Sequence, residues 1–553
     1  MQETVLNTAD DRGARPETAI SRLDRHPGLV MLLLCAVYGV FSVRISLSRP
    51  LWHDELFTYY LALYPSVPSM LHAVLKTDLN PPLLYLLDFF TLRLPGALSS
   101  EHTASLAARL PSVAGGLVGS LGLFVWLRRR LGSLYAVVGV GALWNTAFLF
   151  YTAEDRPYAL VVGMTMVLML ARESDLQQKS RPGWLLLVLL SGFALVACHF
   201  MAAFVLLAFL AAEGVRFWQS RKLDVALILC YILPFSVLVV YHSKISGYET
   251  LIFPRSFMPA PDTPLIAYVV LGYYAWLFFL AGAAIVSGPY LVNANPGVRT
   301  RSSKKSGKHF LTPERTLLLV LFLEPVVAIA AIWRGHGAFF PRYGLPATIP
   351  MAIGTAYVLH AALRNSKLAG VITICLLGAH PAYRVLTNPA WLQPGQIAGV
   401  DPGPGKPDYH SVEPDLPFVV ASGLTYVEMN HRESPAFLRR VYYLTDSAAA
   451  AEYAHATLFE HEEAIREMFH FQAEVEPLRQ FESEHRKFLV LGTFDYPEDW
   501  LLRKMKADGD AIRFLGNYAT SYKDGRLYEV TLSQAASDAR DHRSHGQSGA
   551  PNR

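Results

Sequence analysis

Residues 28–47, GLVMLLLCAVYGVFSVRISL, are followed closely by residues 51–58, LWHDELFT, and these two segments decide the fold. The first is long and apolar enough to span a bilayer. It also lies too far from the N-terminus for a typical signal peptide. The second places Asp54 and Glu55 where the chain leaves the membrane. Acids at a membrane edge are costly to maintain and are therefore functional candidates, with an ordinary solvated pair as the alternative.

The composition is that of a membrane protein with a soluble portion attached. Of the 553 residues, 52% are apolar and 17% are charged, whereas about a quarter of the residues of a soluble domain are charged. The four cysteines all lie inside apolar runs, and they are Cys35, Cys198, Cys230 and Cys375. We expect them to be small buried side chains and not a disulfide framework or a metal site.

Further apolar runs and the basic clusters between them predict the topology. The runs are 104–127, 133–150, 158–171, 184–198, 200–215, 223–241, 265–288, 316–333, 345–363 and 367–386. A basic cluster follows every second span, which by the positive-inside rule places these clusters in the cytoplasm with the N-terminal tail 1–27. The clusters are Arg128 to Arg130, Arg172 to Arg181, Arg216 to Lys222, Arg299 to Lys308 and Arg364 to Lys367. The predicted fold is a polytopic α-helical membrane protein with about eleven transmembrane helices.

Two segments are assigned by this topology. Residues 83–92 are too short to span, and a crossing there would move every later basic loop to the other side, so we expect a helix at the outer interface. Residues 184–215 are flanked at both ends by basic clusters that are predicted to lie in the cytoplasm. They are therefore expected to form a hairpin that turns near His199. The transmembrane module is then 28–386, and its long first outer loop is 48–103.

The rest of the chain is predicted to lie outside the membrane. Residues 387–416 are rich in Pro and Gly and form a linker. Residues 417–535 are predicted to be a soluble α/β domain, and 536–553 a disordered tail. The expected strands of the α/β domain are 417–421, 440–444, 487–491 and 527–532, and its expected helices are 447–472 and 497–507. The sequence has no phosphate-binding Gly-rich loop and no nucleic-acid motif, so we expect no nucleotide cofactor and no nucleic-acid partner.

Four motifs occur in order within residues 28–363. They are Trp52-x-Asp54-Glu55, Asn80-Pro81-Pro82-Leu83-Leu84-Tyr85, Ala108-Arg109-Leu110-Pro111-Ser112 and Tyr151-x-x-x-x-Arg156-Pro157-Tyr158. With them the chain resembles the polyprenyl-phosphate-sugar-dependent glycosyltransferases of the GT-C fold. It is most similar to their protein O-mannosyltransferase and aminoarabinose transferase branch. The resemblance implies a multi-pass enzyme of the cytoplasmic membrane with its N-terminus in the cytoplasm and its C-terminal domain extracytoplasmic.

The resemblance also implies an activity. Such an enzyme transfers a monosaccharide from a polyprenyl-phosphate donor, held among membrane lipids, to an acceptor on the outer face. Inversion requires a carboxylate that takes the proton of the acceptor hydroxyl. Asp54 is the candidate base, and Glu55 is expected to orient it. The sequence leaves open whether the acceptor is a protein, a glycolipid or a polysaccharide.

Arginines of the outer loops are candidates for binding the leaving phosphate, because a guanidinium can bind phosphate oxygens with two hydrogen bonds. The candidates are Arg109, Arg156 and Arg342. Tyr343 follows the last of these in Phe340-Pro341-Arg342-Tyr343-Gly344-Leu345-Pro346, which resembles the family's Arg-Tyr motif near the lipid phosphate. For each arginine the alternative is a side chain that extends to the interface without binding a ligand.

A divalent cation is left open by the sequence. In the aminoarabinose branch a second metal-binding acid lies before the paired prolines, but here Asn80 precedes Pro81. Asp54, Glu55 and Asp78 are the candidate ligands. Possible substrate contacts come from five other side chains, and these are His53, Asn80, Tyr151, Tyr158 and His199. Aromatic residues Tyr59, Tyr60 and Tyr64 are expected to form an interfacial belt.

Two other classes of protein remain as alternatives. A transporter or flippase of lipid-linked sugars would also have many spans and buried charges. It should show repeat symmetry with broken helices near the midplane, and its charges should line a path through the membrane. A scaffold without activity, whose outer domain binds a partner, is the third alternative. The intact acid and arginine motifs argue against it.

Overall fold

The computed structural model describes ten ranges of the chain. They are 26–77, 80–177, 181–242, 311–334, 341–363, 365–387, 408–454, 462–494, 500–518 and 525–533. The predicted span 265–288, most of the linker and the two tails lie outside the described residues.

The membrane module is built from helices that we number α1 to α13. Their bounds are α1 Pro27–Leu47, α2 His53–Ala62, α3 Val67–Thr77, α4 Leu83–Thr91, α5 Glu101–Trp144, α6 Phe148–Tyr151, α7 Tyr158–Gln177, α8 Arg181–Cys198, α9 Ala203–Ser220, α10 Val225–Ile232, α11 Pro313–Arg334, α12 Thr348–Ala362 and α13 Lys367–Thr387. Short 3₁₀ turns at Phe200–Ala202, Leu233–Phe235 and Pro341–Ala347 connect some of them.

Seven helical segments of the described residues are long and apolar enough to cross a membrane. They include 27–47, 101–144 and 342–362. The chain is therefore a polytopic helical membrane protein, as predicted. The count of eleven spans and the side on which each terminus lies stay predictions.

Helix α5 contains the predicted span 104–127 and most of the predicted span 133–150. They are separated by a break at Gly132, where φ is 82° and ψ is 170°. This left-handed, extended backbone is open to glycine and strongly disfavoured for residues with a side chain. The predicted basic turn Arg128 to Arg130 is therefore helical, and the chain changes direction at Gly132 without a longer loop.

Helices α5 and α7 pack with their backbones in contact. A Cβ at Gly163 would lie 2.4 Å from the carbonyl oxygen of Gly115, so only glycine fits there. Small residues permit such close packing of spanning helices. The Ser112 hydroxyl of α5 donates a 2.6 Å hydrogen bond to the carbonyl of Arg156, just before α7. The contact fixes the loop 152–157, which carries Arg156, against the helix that carries Arg109.

The C-terminal region forms a six-stranded sheet in the order β3-β2-β1-β4-β6-β5. The strands are β1 Phe418–Val420, β2 Val441–Thr445, β3 Glu474–Pro477, β4 Lys487–Leu491, β5 Ala511–Asn517 and β6 Arg526–Thr531. Strands β1 to β4 are parallel neighbours, and β6 pairs antiparallel with both β4 and β5. Helices lie between them, at α14 Gly423–Arg432, α15 Pro435–Leu438, α16 Ser447–Ala449, α17 Glu462–Phe469, α18 Leu478–Glu484 and α19 Trp500–Ala507, with a π-helical turn at Ala450–Ala454. A small α/β domain was predicted here, although β3 and β5 were not.

The sheet domain packs against the predicted first outer loop, residues 48–103. Tyr60 of α2 stacks on Phe469, with ring centroids 5.0 Å apart, and meets Phe471 edge-on at 5.1 Å. Its hydroxyl lies 3.0 Å from Nδ1 of His431 in α14. The predicted aromatic belt is therefore wrong for Tyr60, because this side chain is covered by the C-terminal domain.

Candidate active site

The N-terminus of α2 separates the two acids of the opening motif. Glu55 accepts a 3.2 Å hydrogen bond from the backbone N–H of Trp52, the residue that precedes the helix. The first turn of a helix favours carboxylates because its N–H groups carry partial positive charge. Successive residues of a helix point about 100° apart. Glu55 therefore faces the protein interior, whereas the side chain of Asp54 is 23% exposed.

Glu55 and Arg109 form a fully buried ion pair. The Arg109 guanidinium donates from Nε to Oε1 at 2.7 Å and from Nη2 to Oε2 at 2.6 Å. It also donates to the carbonyls of Arg49, Pro50 and Ser46, at the end of α1. Both side chains have 0% exposure. The pair thus connects α1, α2 and α5.

This geometry corrects two of the roles expected from the sequence. Arg109 is not placed to bind a lipid phosphate, because its guanidinium is buried and its donors are directed at protein oxygens. Glu55 is not placed to act on a substrate or a metal. Its Oε1 accepts a further 2.7 Å hydrogen bond, from the backbone N–H of Asp155. Glu55 instead fixes the backbone on which Asp54 stands.

Asp54 lies between two arginines that are distant in sequence. Its Oδ2 is 3.6 Å from Nη2 of Arg156 and 3.4 Å from Nη2 of Arg342. Its backbone carbonyl accepts a 3.3 Å hydrogen bond from Nη1 of Arg156. Burial acts to raise the pKa of Asp54, but attraction by Arg156, Arg342 and His53 outweighs it and lowers the pKa below its ordinary value. The carboxylate is therefore ionised at neutral pH, as a general base must be.

A small aromatic pocket lies beside Arg342. Its walls include Tyr158, His199, Arg342 and Tyr343. The ring of His199 lies 4.9 Å from that of Tyr343 and 5.5 Å from that of Tyr158. The Arg342 guanidinium lies 5.7 Å from the centre of the Tyr158 ring, within cation–π range. This pocket thus brings together four of the residues that the sequence singled out.

His199 contributes a neutral imidazole to this pocket. Burial, followed by repulsion from Arg156 and Arg342, lowers the pKa of His199 to about 3. Its Nδ1 accepts a 3.2 Å hydrogen bond from the backbone N–H of Met201. Because that nitrogen accepts, the ring can donate only from Nε2. Tyr151 lies behind this group, with its ring 5.5 Å from that of Tyr158.

A divalent cation at Asp54 and Glu55 stays a prediction. Two arginine cations face Asp54, and the oxygens of Glu55 accept hydrogen bonds from Arg109 and from backbone N–H groups. Within the described ranges, no cluster of three His, Cys, Asp or Glu side chains could hold a metal. Asp78 lies outside the described residues. Asn80 is half-buried before α4 and is not among the residues that line the pocket.

Three buried acids behind the site were missed by the sequence reasoning. Asp88 of α4, Glu154 and Asp155 are each at most 1% exposed. The pKa of Asp88 is raised by burial and then by repulsion from Asp155. The pKa of Asp155 is raised by burial and then by repulsion from Glu55. Burial is also the largest cause that raises the pKa of Glu154, to about 7. Glu154 and Asp155 directly precede Arg156 in a predicted outer loop. This position is the sequence feature from which they could have been identified as site residues.

The C-terminal domain supplies another residue to the site that the sequence did not indicate. Glu428 of α14 accepts a 3.1 Å hydrogen bond from the backbone N–H of His53 through Oε1. The same oxygen lies 3.2 Å from Nδ1 of the His53 ring. On its other side, the ring places Nε2 3.6 Å from Oδ1 of Asp54. No spacing or motif predicts this contact, because the two residues are far apart in sequence.

Comparison with known proteins identifies the fold. No family model matches the sequence, and no curated protein sequence matches it. Among solved structures, the chain is similar to ArnT from Cupriavidus metallidurans in the apo state, with a TM-score of 0.51 and 13% identity over 93% of this chain and 99% of that one. The same protein bound to undecaprenyl phosphate matches with a TM-score of 0.47 and 14% identity over 92% and 99% of the two chains. The likeness to the apo structure confirms the predicted GT-C-like fold.

Proposed function

We propose that the protein is a glycosyltransferase of the cytoplasmic membrane that takes a monosaccharide from a polyprenyl-phosphate donor. The observation that carries the proposal is the position of Asp54 between Arg156 and Arg342, the second of which lines an aromatic pocket. A base and a phosphate-binding pair are the two parts that such a transfer requires. The GT-C-like fold supports the proposal, and the transfer takes place on the outer face, where the four motifs are predicted to lie.

The two arginines serve the leaving group. A phosphate diester carries a negative charge, and its charge grows as the bond to the sugar breaks. Guanidinium groups stabilise that growing charge in a site with little water. Arg156 and Arg342 contact Asp54 in this structure, so a bound phosphate competes with Asp54 for them. Arrival of the donor therefore weakens the attraction that lowers the pKa of Asp54 and makes it a stronger base.

The transfer itself is a single displacement. The acceptor hydroxyl oxygen forms a bond to the anomeric carbon, while the bond from that carbon to the phosphate oxygen breaks. The bonding electrons leave with the polyprenyl phosphate, and Asp54 takes the hydroxyl proton. Attack from the face opposite the phosphate inverts the anomeric centre. The acceptor is a protein, a glycolipid or a polysaccharide.

The test follows the sugar and the lipid separately. Vesicles carrying the full-length protein receive polyprenyl-phosphate mannose, glucose, galactose or arabinose, each with a radiolabelled sugar, together with envelope extract as a source of acceptor. We expect label from at least one donor to move to acceptor without ATP. If the label stays on the lipid and only changes leaflet, the protein is a transporter. If no donor is consumed, the proposal is wrong.

We expect transfer to persist in EDTA. The two arginines supply the positive charge that a divalent cation would offer the phosphate, and Glu55 is already paired with Arg109. The measurement is the initial rate of label transfer with and without EDTA. A loss of rate that added Mg²⁺ or Mn²⁺ restores would contradict this expectation.

A further inference from the structure

We propose that Glu428, in the C-terminal domain, is a positioning residue that acts on the catalytic base Asp54 through His53. The inference rests on the proposed function, since it assigns the means by which that base is held. It also gives the C-terminal domain a role in the chemistry. The two acids and the imidazole form a chain Glu428–His53–Asp54 that crosses from one domain to the other.

The geometry of this chain is set at both ends of the imidazole. Nδ1 of His53 lies 3.2 Å from Glu428 Oε1, and Nε2 lies 3.6 Å from Asp54 Oδ1. The ring is 15% exposed and the Glu428 side chain 10% exposed, so little water competes for either contact. Asp54 thus faces the imidazole with Oδ1 and both arginines with Oδ2.

The carboxylate of Glu428 is itself held from two sides. Its Oε1 accepts from the backbone N–H of His53, which lies in the first turn of α2, where acceptors are favoured. Its Oε2 lies 3.5 Å from Nη1 of Arg432, one turn later in α14. The Nη2 group of Arg432 donates to the carbonyl of Leu51, just before α2. One helix of the C-terminal domain thus fixes both the backbone and the ring at the start of α2.

If Glu428 only stabilised the interface, loss of any other polar contact between the two domains should lower the rate in the same way. Another such contact joins the Tyr60 hydroxyl and Nδ1 of His431 at 3.0 Å. Tyr60 lies on the same helix as Asp54 but is six residues further on, and it contacts the same helix α14. Tyr60→Phe is therefore a matched control, because it removes a contact of the interface without touching the chain Glu428–His53–Asp54.

The test measures kcat, the donor KM and thermal stability of the full-length protein in vesicles, with the labelled donor that the wild type consumes. We expect Glu428→Ala to lower kcat by about tenfold, a loss typical of a misplaced reactive group, with little change in donor KM. Glu428→Gln keeps an oxygen for the His53 N–H and is expected to retain part of the rate. Tyr60→Phe should leave kcat unchanged.

A double-mutant cycle separates action through His53 from any other effect. In a His53→Ala background, Glu428→Ala should lower kcat by less than it does in the wild type, because the contact through the imidazole is already lost and groups that act as a unit are not additive. A wild-type kcat in Glu428→Ala, an additive loss in the double variant, or an equal loss in Tyr60→Phe would each overturn the inference. If Glu428→Ala fails to fold, Glu428→Gln carries the same comparison.

Asp54→Asn in the same assay distinguishes the two levels of the account. If Asp54→Asn keeps full transfer, the proposed function itself is wrong, and the inference falls with it. If Asp54→Asn loses transfer while Glu428→Ala keeps it, only the role of Glu428 is wrong.

Discussion

Arg342→Ala should lower kcat/KM for a polyprenyl-phosphate sugar by roughly 10² to 10³-fold, the loss typical when one donor to a developing anion is removed. Arg342 faces Asp54 Oδ2 at 3.4 Å and also lines the aromatic pocket. Its removal takes away positive charge at the place where the phosphate departs. The measurement is the rate of label transfer at several donor concentrations.

Arg342→Lys and a distant arginine give the controls. Lys keeps the charge but cannot offer two parallel N–H groups, so we expect an intermediate rate. Arg513→Ala, on the edge strand β5, should behave as wild type, because its side chain is 65% exposed and pairs with Glu529 far from the pocket. Equal rates for Arg342→Ala and Arg513→Ala would refute the assignment of Arg342 to the phosphate.

Arg109→Ala should lower the free energy of unfolding by about 3 to 5 kcal/mol, because it leaves the Glu55 carboxylate buried without its partner. The pair has no exposed surface, and Arg109 also joins three carbonyls before α2. Thermal unfolding of the detergent-solubilised protein gives the measurement. Arg109→Lys should rescue little, since one ammonium cannot replace the fork of a guanidinium.

The same pair offers a test that does not depend on activity. A double change of Glu55 and Arg109 to Met removes both charges and should be less destabilising than Arg109→Ala alone. Arg513→Ala should change stability little, because the Arg513 side chain that pairs with Glu529 is 65% exposed. If Arg109→Ala unfolds at the wild-type temperature, the contacts of Arg109 with Glu55 and the end of α1 do not stabilise the fold. Arg109 would then again be a candidate for binding the lipid phosphate.

The sequence was informative where residue type and topology act together. The loops predicted from the basic clusters to face outward carry Asp54, Arg156 and Arg342. The structure places Oδ2 of Asp54 within 3.6 Å of a guanidinium nitrogen of each arginine. Residue type and topology alone could not separate Asp54 from Glu55, and the assignment of the base to Asp54 came from the family resemblance. Two adjacent acids look alike in sequence, and which of them faces the interior depends on the helix that begins at His53. Nor could the sequence find Glu428, because a contact between domains leaves no local pattern.

The sheet shows a similar limit. Strands β1, β2, β4 and β6 were predicted from short apolar runs, and they occupy the four central positions of the sheet. Strands β3 and β5 are the two edges, and most of their residues are half-buried or exposed. Edge strands need less apolar sequence and often carry charge. Their sequences, EVEP and AIRFLGN, therefore lack the continuous run by which the central strands were recognised.

The most direct test of the central claim compares wild type and Asp54→Asn for both transfer and binding of undecaprenyl phosphate. The amide cannot take the acceptor proton, so we expect transfer to fall by about 10² to 10⁴-fold, the range of a lost general base. The same change removes the charge that competes for Arg156 and Arg342, so the phosphate should bind more tightly. Slower transfer with tighter binding is the predicted result. Transfer at the wild-type rate by Asp54→Asn would contradict the account.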